Sequence, residues 1–160
     1  MSIHPFSWFL TFHPYGTWLP GDARGWTNPK SVRRGITCSP PSPALEAFAR
    51  ALMRQPPLYF DGAMRSVVSC AIVGLCVERA WTLHDHVVTR THLHILCTAR
   101  ARPTIIRTQF KARATKVLRG EGLLPPDRIV WARGGSTRPI LTLPRFARVV
   151  DYIDHHGLEY

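Results

Sequence analysis

WTLHDHVVTRTHLHILCT, residues 81–98, decides how the chain folds. Trp81 to Thr89 and His92 to Thr98 are apolar, β-branched runs that predict two strands. Only a short turn near Arg90 separates them, which predicts an antiparallel hairpin. Working outward, Pro103 suits the first turn of a helix reaching about Arg119, ended by Gly120 and Gly122. Upstream, Asp61 suits the N-cap of a helix running to about Ala80. Ser7 to Phe12 (SWFLTF) predicts a strand, and Ala44 to Met53 a short helix stopped by Pro56-Pro57. Ile129 to Ala132 and Arg138 to Leu141 predict short strands around a GGST loop, for which a Gly-Gly hairpin turn is the simplest account. Pro144 opens a last helix that ends at Gly157. The resulting order is β, α, α, β, β, α, β, β, α. It lacks strict alternation and so predicts an α+β fold, an antiparallel sheet covered by helices, in one domain over residues 1–160. Residues 13–43 are rich in Pro, Gly, Arg and Ser, and a loop of that length is expected to be functional or partly mobile.

A chain of 160 residues with 45% hydrophobic side chains can bury its own core and is not disordered throughout. No apolar run approaches the ~20 residues that span a bilayer. Residues 1–10 lack a basic segment followed by an apolar one, so no secretory leader is expected. Cys38, Cys70, Cys76 and Cys97 form no CxxC pair and read as small core hydrophobes of a reducing cytosol.

Charge narrows the function. There are 21 Lys+Arg against 10 Asp+Glu, a net +11. All the basic residues except Lys30, Lys111 and Lys116 are arginines, whose guanidinium fork suits phosphate. High-GC coding also raises arginine content, but a nucleic-acid partner is the better account. An anionic membrane fits less well, because no amphipathic helix shows an exposed Trp/Phe/Leu face.

Three constellations carry chemistry. On a strand, His92 and His94 point to one face while Leu93, Ile95 and Cys97 point to the other. The pair is a ready metal chelate that needs a third ligand. Taken alone, a His-x-His pair is a weak motif and reads first as two polar residues on a solvated strand face. His84-Asp85-His86 has the same spacing and reads as an edge or nucleic-acid-facing pair. In the last helix, Phe146, Val149, Val150 and Ile153 form the core stripe. Tyr152 and His156 share one flank with Arg145 and Arg148, while Asp151 and Asp154 lie opposite. A phenol among cations, near a metal, is a competent nucleophile for a phosphodiester. The plain alternative is a boundary tyrosine with its hydroxyl in water. The third constellation is basic and aromatic. Arg107, Lys111, Arg113, Lys116 and Arg119 stud the third helix, whose core side is Ile106, Phe110, Val117 and Leu118. The long loop adds Tyr15, Trp18, Arg24, Trp26, Arg33 and Arg34. Aromatics among arginines suit stacking on unpaired bases with neutralised phosphates, or else a solvated helix and a core-anchored loop. Gly134 to Arg138 offers backbone N–H groups to a phosphate.

Residues 15–25 (YGTWLPGDARG) resemble the N-terminal signature of REP-associated tyrosine transposase-like proteins, a branch of the single-tyrosine HUH transposases. Thr91-His92-Leu93-His94 matches the HUH position. Lys111 to Thr115, Val130-Trp131, Gly135 to Arg138 and Val150-Asp151-Tyr152-Ile153 match later family segments in order. The matches span residues 8 to 157. The resemblance implies a ferredoxin-like core with the HUH motif on a central strand and Tyr152 as the catalytic residue on the C-terminal helix. It implies a divalent metal, Mg²⁺ or Mn²⁺, on His92, His94 and a third ligand from the tyrosine helix. The expected activity is metal-dependent cleavage and strand transfer of single-stranded DNA through a 5′-phosphotyrosine, near a hairpin. Tyr15, Trp18, Arg24, Arg107, Lys111, Arg113, Lys116, Arg138, Arg145 and Arg148 are the expected DNA-facing residues. A homodimer and a cytoplasmic, nucleoid-associated location follow from the same resemblance. The family usually has Gln four residues after the tyrosine, whereas this chain has His156. Three histidines shift preference toward Zn²⁺, Mn²⁺ or Co²⁺, or else mark a decayed site, and His155 is a substitute if the register differs. The sequence ends at Tyr160, three residues past Gly157, and loss of a C-terminal extension, with part of the DNA-binding or tyrosine-positioning machinery, is one expectation. The competing expectation is a domesticated relative that grips hairpin DNA without cutting. Two-histidine RNA phosphoesterases are set aside because no His-x-Ser/Thr motif occurs. A sheet-surface RNA binder is set aside because residues 92–98 contain no aromatic side chain.

Overall fold

The protein is described from a computed structural model. Residues 7–28 and 38–156 are described. Expectations resting on Lys30, Arg33, Arg34, Gly157 and Tyr160 fall outside them. The described residues form β1 (Ser7–Phe12), α1 (Pro43–Ala51), α2 (Gly62–Glu78), β2 (Thr82–Val88), β3 (Leu93–Thr98), α3 (Pro103–Gly120), β4 (Ser136–Pro139) and α4 (Leu143–His156). The four strands make one antiparallel sheet in the order β2-β3-β1-β4. With α2 and α3 as crossovers, this is the ferredoxin-like βαββαβ arrangement, to which α1 and α4 are added.

The pleat sorts the side chains. Leu93, Ile95 and Cys97 on β3, with Leu10 and Phe12 on β1, face α2 and α3 and form the main core with Val68, Ile72, Leu75, Ile106, Phe110, Ala114 and Leu118. His92, His94 and Leu96 take the alternate positions and face the other side. There Leu96, Ile140 and Ile153 make a smaller cluster with Phe9, Val87, Phe146, Val149 and Val150. The apolar stripe expected on the last helix is thus the face α4 lays on the sheet. On α3, Ala114 rather than Val117 completes the buried stripe.

Helix starts follow the sequence closely. Asp61 accepts from the Met64 N–H at 2.8 Å, and Ser42 caps α1 by accepting from Leu45. α2 ends at Glu78 rather than near Ala80, which has φ +52°, a left-handed value that a helix cannot contain.

Several expectations are corrected. Residues 129–132 form no strand; only Trp131 bridges to Pro14, flanked by Tyr15 N–H to Val130 O and Ala132 N–H to His13 O. Pro14 has no N–H, so the ladder cannot continue through it. β4 begins at Ser136 rather than Arg138 and pairs with β1, Thr11 opposite Ser136. From Thr11 to Pro14 is three residues, while from Ser136 back to Trp131 is five, so two residues are extra on that side. Gly134 and Gly135, at φ +70° and +132°, lie in this bulge of one long edge segment and do not form a hairpin turn. Cys38 and Cys70 are exposed, and only Cys76 and Cys97 are buried. α2 turns Cys70 outward while Ala71 and Ile72 face inward. A register irregularity between Leu83 and Asp85 sends His84 and His86 to different neighbours. His84 packs edge-on against Phe146 of α4, and His86 meets Ser69 Oγ of α2 at 2.6 Å. Among the described residues, no helix is long and apolar enough to cross a membrane.

Candidate metal centre and tyrosine

β3 is a central strand; His94 lies near its start and His92 immediately precedes it, both under α4. The two rings are 4.8 Å apart between centroids. α4 adds His156, 5.2 Å from His92 and 5.1 Å from His94. One nitrogen from each of the three falls within 4.8 Å of the others. His92 and His94 are 9% and 5% exposed.

Their hydrogen bonds are one-sided. His94 Nδ1 lies 2.8 Å from Thr11 Oγ1, its cross-strand neighbour on β1. His92 Nδ1 lies 3.0 Å from Thr89 Oγ1 and 3.1 Å from Thr91 Oγ1. The Nε2 atoms of both rings are buried and have no hydrogen-bond partner among the described residues. A buried, unpartnered polar atom is costly, so two of them converging on a third imidazole fit a cation. Burial, with weaker repulsion from neighbouring cationic groups, holds the His92 pKa down to about 4 and that of His94 to about 3. Both are therefore neutral near pH 7, the form in which imidazole ligates a metal.

Tyr152 stands one turn before His156, and its hydroxyl is 3.3 Å from His156 Nε2. Its ring sits 5.1 Å from that of His94 and edge-on to Phe9 at 6.2 Å. It is 44% exposed, so the phenol borders both the histidines and solvent. The remaining candidate residues divide into three groups. Arg148 shares the Tyr152 flank of α4, four residues before it; Arg145 lies one turn earlier, and both are exposed. Arg138 is opposite Phe9 on β4, which puts it on the histidine face of the sheet edge.

The loop residues approach from the other side. His13 packs 6.2 Å from His92, and its Nδ1 lies 3.2 Å from the Thr91 carbonyl, which Thr17 Oγ1 also reaches at 2.9 Å. Trp18 donates its indole N–H to Gly25 O, and its ring carries His13 at 4.7 Å and the Arg24 guanidinium at 4.2 Å. Arg24 also grips both carboxylate oxygens of Asp22, which holds that carboxyl below its usual range. Tyr15 packs against the main core, and its hydroxyl accepts from the Arg54 N–H.

The third group lies on α3, which covers the opposite face of the sheet. Arg113 pairs with Glu78, and Arg107 donates to Gly135 O. Lys111 donates to Ala132 O and Gly134 O, and burial pushes its pKa down to about 8. These three brace the fold; Lys116 is exposed on the same helix. Thr11, Thr89, Thr91, Phe9 and His13 complete the site without having been singled out from the sequence.

No protein-family model and no curated protein matches the chain. Among the solved structures that match, one covers 99% of this chain and 70% of its own, with a TM-score of 0.57 and 14% identity. The match is one of fold: a four-stranded antiparallel sheet with helices in an α+β arrangement. The structure matched is that of a REP-associated tyrosine transposase bound to a REP hairpin. At that identity the likeness establishes the shared fold.

Proposed function

We propose that this protein cleaves and rejoins single-stranded DNA with Tyr152 as nucleophile, next to a metal held by His92, His94 and His156. The observation that carries the reading is the tyrosine hydroxyl at the rim of three converging imidazoles, two of them with buried Nε2 atoms that have no partner among the described residues. A bound divalent cation would polarise the scissile phosphate. The Tyr152 oxygen forms the new P–O bond, the bond from phosphorus to the 3′ oxygen breaks, and that oxygen leaves as a 3′-OH. The phenolic proton passes to water, and water returns one to the departing 3′ oxygen. One phosphodiester replaces another, so a second 3′-OH reverses the step without an external energy source. Arg145, Arg148 and Arg138 flank the site and suit the DNA backbone, and Trp18 and Arg24 border it through His13. Three imidazoles select Mn²⁺, Co²⁺ or Zn²⁺ over Mg²⁺. This reading places the protein beside the chromosome in the cytoplasm, with hairpin DNA as its partner and a second copy of the chain as a candidate companion.

The test is a denaturing gel with labelled single-stranded hairpin DNA from the flanks of its own gene, with Mn²⁺ or Mg²⁺. A covalent protein–DNA band is expected, lost with EDTA and lost in Tyr152→Phe, while native-gel binding persists in that variant. Binding without a covalent band under any metal would favour the second reading, a hairpin-gripping protein that does not cut. That reading draws on the engagement of His156 Nε2 by the Tyr152 hydroxyl, which competes with ligation through that atom.

A further inference from the structure

We infer that Thr11 is a positioning residue for the metal centre: its hydroxyl sets which edge of the His94 ring faces the other two histidines. The inference rests on the metal reading above. An imidazole has two edges that nearly superpose when the ring turns by 180°. Turning His94 over would place a carbon where Nε2 now points. Shape alone does not decide between the two, because Phe9 lies nearly parallel to the ring, 5.3 Å away at 26°, and contacts either orientation equally. The hydrogen bond does decide. Thr11 Oγ1, 2.8 Å from Nδ1, is the only hydrogen-bond partner that ring nitrogen has among the described residues. Thr11 and His94 are directly opposed in the β1–β3 register, so the hydroxyl and the ring project from one pair of positions.

The chemistry of the partner also matters. For Nε2 to offer a lone pair, Nδ1 must carry the proton and Thr11 Oγ1 must accept it. His92 is held in the same manner by Thr89 and Thr91. Histidine ligands are more commonly braced by carboxylates or carbonyls. Here all three acceptors, on Thr11, Thr89 and Thr91, are neutral hydroxyls, so these two ligands and their braces contribute no negative charge. A cation in this cluster keeps both positive charges directed at the phosphate.

The experiment uses the full chain and three forms: wild type, Thr11→Val and Thr11→Ser. Valine keeps the β-branched shape suited to β1 and removes only the hydroxyl, while serine keeps it. Long-range ¹H–¹⁵N spectra of metal-free protein should show wild-type His94 as a single neutral form with its proton on Nδ1. Thr11→Val should lose that single form and Thr11→Ser should retain it. Titration with Mn²⁺ alone and with Zn²⁺ alone should give affinity about 10- to 100-fold weaker for Thr11→Val, restored by serine. Unchanged spectra and unchanged affinity in Thr11→Val would overturn the assignment. If wild type binds neither metal, the metal reading fails, and the metal-free spectra still decide the role of Thr11.

Discussion

His92 and His94 hold neutral imidazoles where the unfolded chain would hold titrating ones. A free imidazole protonates near 6.5, whereas in the fold His92 resists until about 4 and His94 until about 3. Below 6.5 the unfolded chain therefore binds more protons than the native one. Stability is complete above 6.5, falls as pH drops toward 4, and goes on falling toward 3. Metal-free protein should show a melting temperature that drops across this window, and His94→Ala should show a shallower drop. A melting temperature flat from pH 6.5 to 4 would mean the rings charge freely in the fold. At this scale the sequence was readable where spacing alone sufficed. The i, i+2 pair on a strand and the i, i+4 pair Tyr152–His156 each follow from local geometry. Thr11 does not, because its meeting with His94 depends on the β1–β3 register, which joins positions 83 residues apart.

Among the elements, the edge segment after α3 shows how local reading fails. Two glycines between two short β-prone runs have the pattern of a hairpin, and nothing nearby in sequence says otherwise. The competing partner is β1, which pairs with β4 while its continuation at Pro14 bridges to Trp131, leaving the glycines in a bulge. Arg107 and Lys111 reach over from α3 and bind the bulge carbonyls. Those residues were expected to face DNA, since an isolated helix gives no sign that its lysine is braced by a loop. Gly135 is the point of closest approach: an added Cβ would stand 2.7 Å from Thr11 O, at φ +132°. Gly135→Ala should therefore destabilise the protein by about 1–3 kcal/mol in urea unfolding. Gly134→Ala, with no atom within 4 Å, should cost clearly less. Equal losses would show that the tight contact is unimportant. α2 was legible from its Asp61 cap, α3 from the proline that opens it, and β1 and β3 from short apolar runs that the fold buries.

For the molecule as a whole, net charge governs encounter with a polyanion. With a formal charge of +11, binding to single-stranded hairpin DNA should weaken linearly in log affinity against log salt, with a slope of about −3 or steeper. Replacing Arg145 and Arg148 together by Gln should make that slope shallower by about 1.4, roughly 0.7 for each lost phosphate contact. A slope near zero would remove the arginine-lined faces from the DNA contact. Total charge was plain in the sequence; its division between the two faces of the sheet was not, because that needs the helix placements. The same division separates the two clusters of apolar side chains. The larger one lies under α2 and α3, and α4 covers only the smaller. A premature stop codon just after β4 would delete Tyr152 and His156 while leaving the larger cluster whole. On the proposed reading, a single frameshift late in the reading frame would take the nucleophile, one metal ligand and the Arg145–Arg148 part of the DNA-facing surface together, and leave a folded remnant carrying the other two histidines.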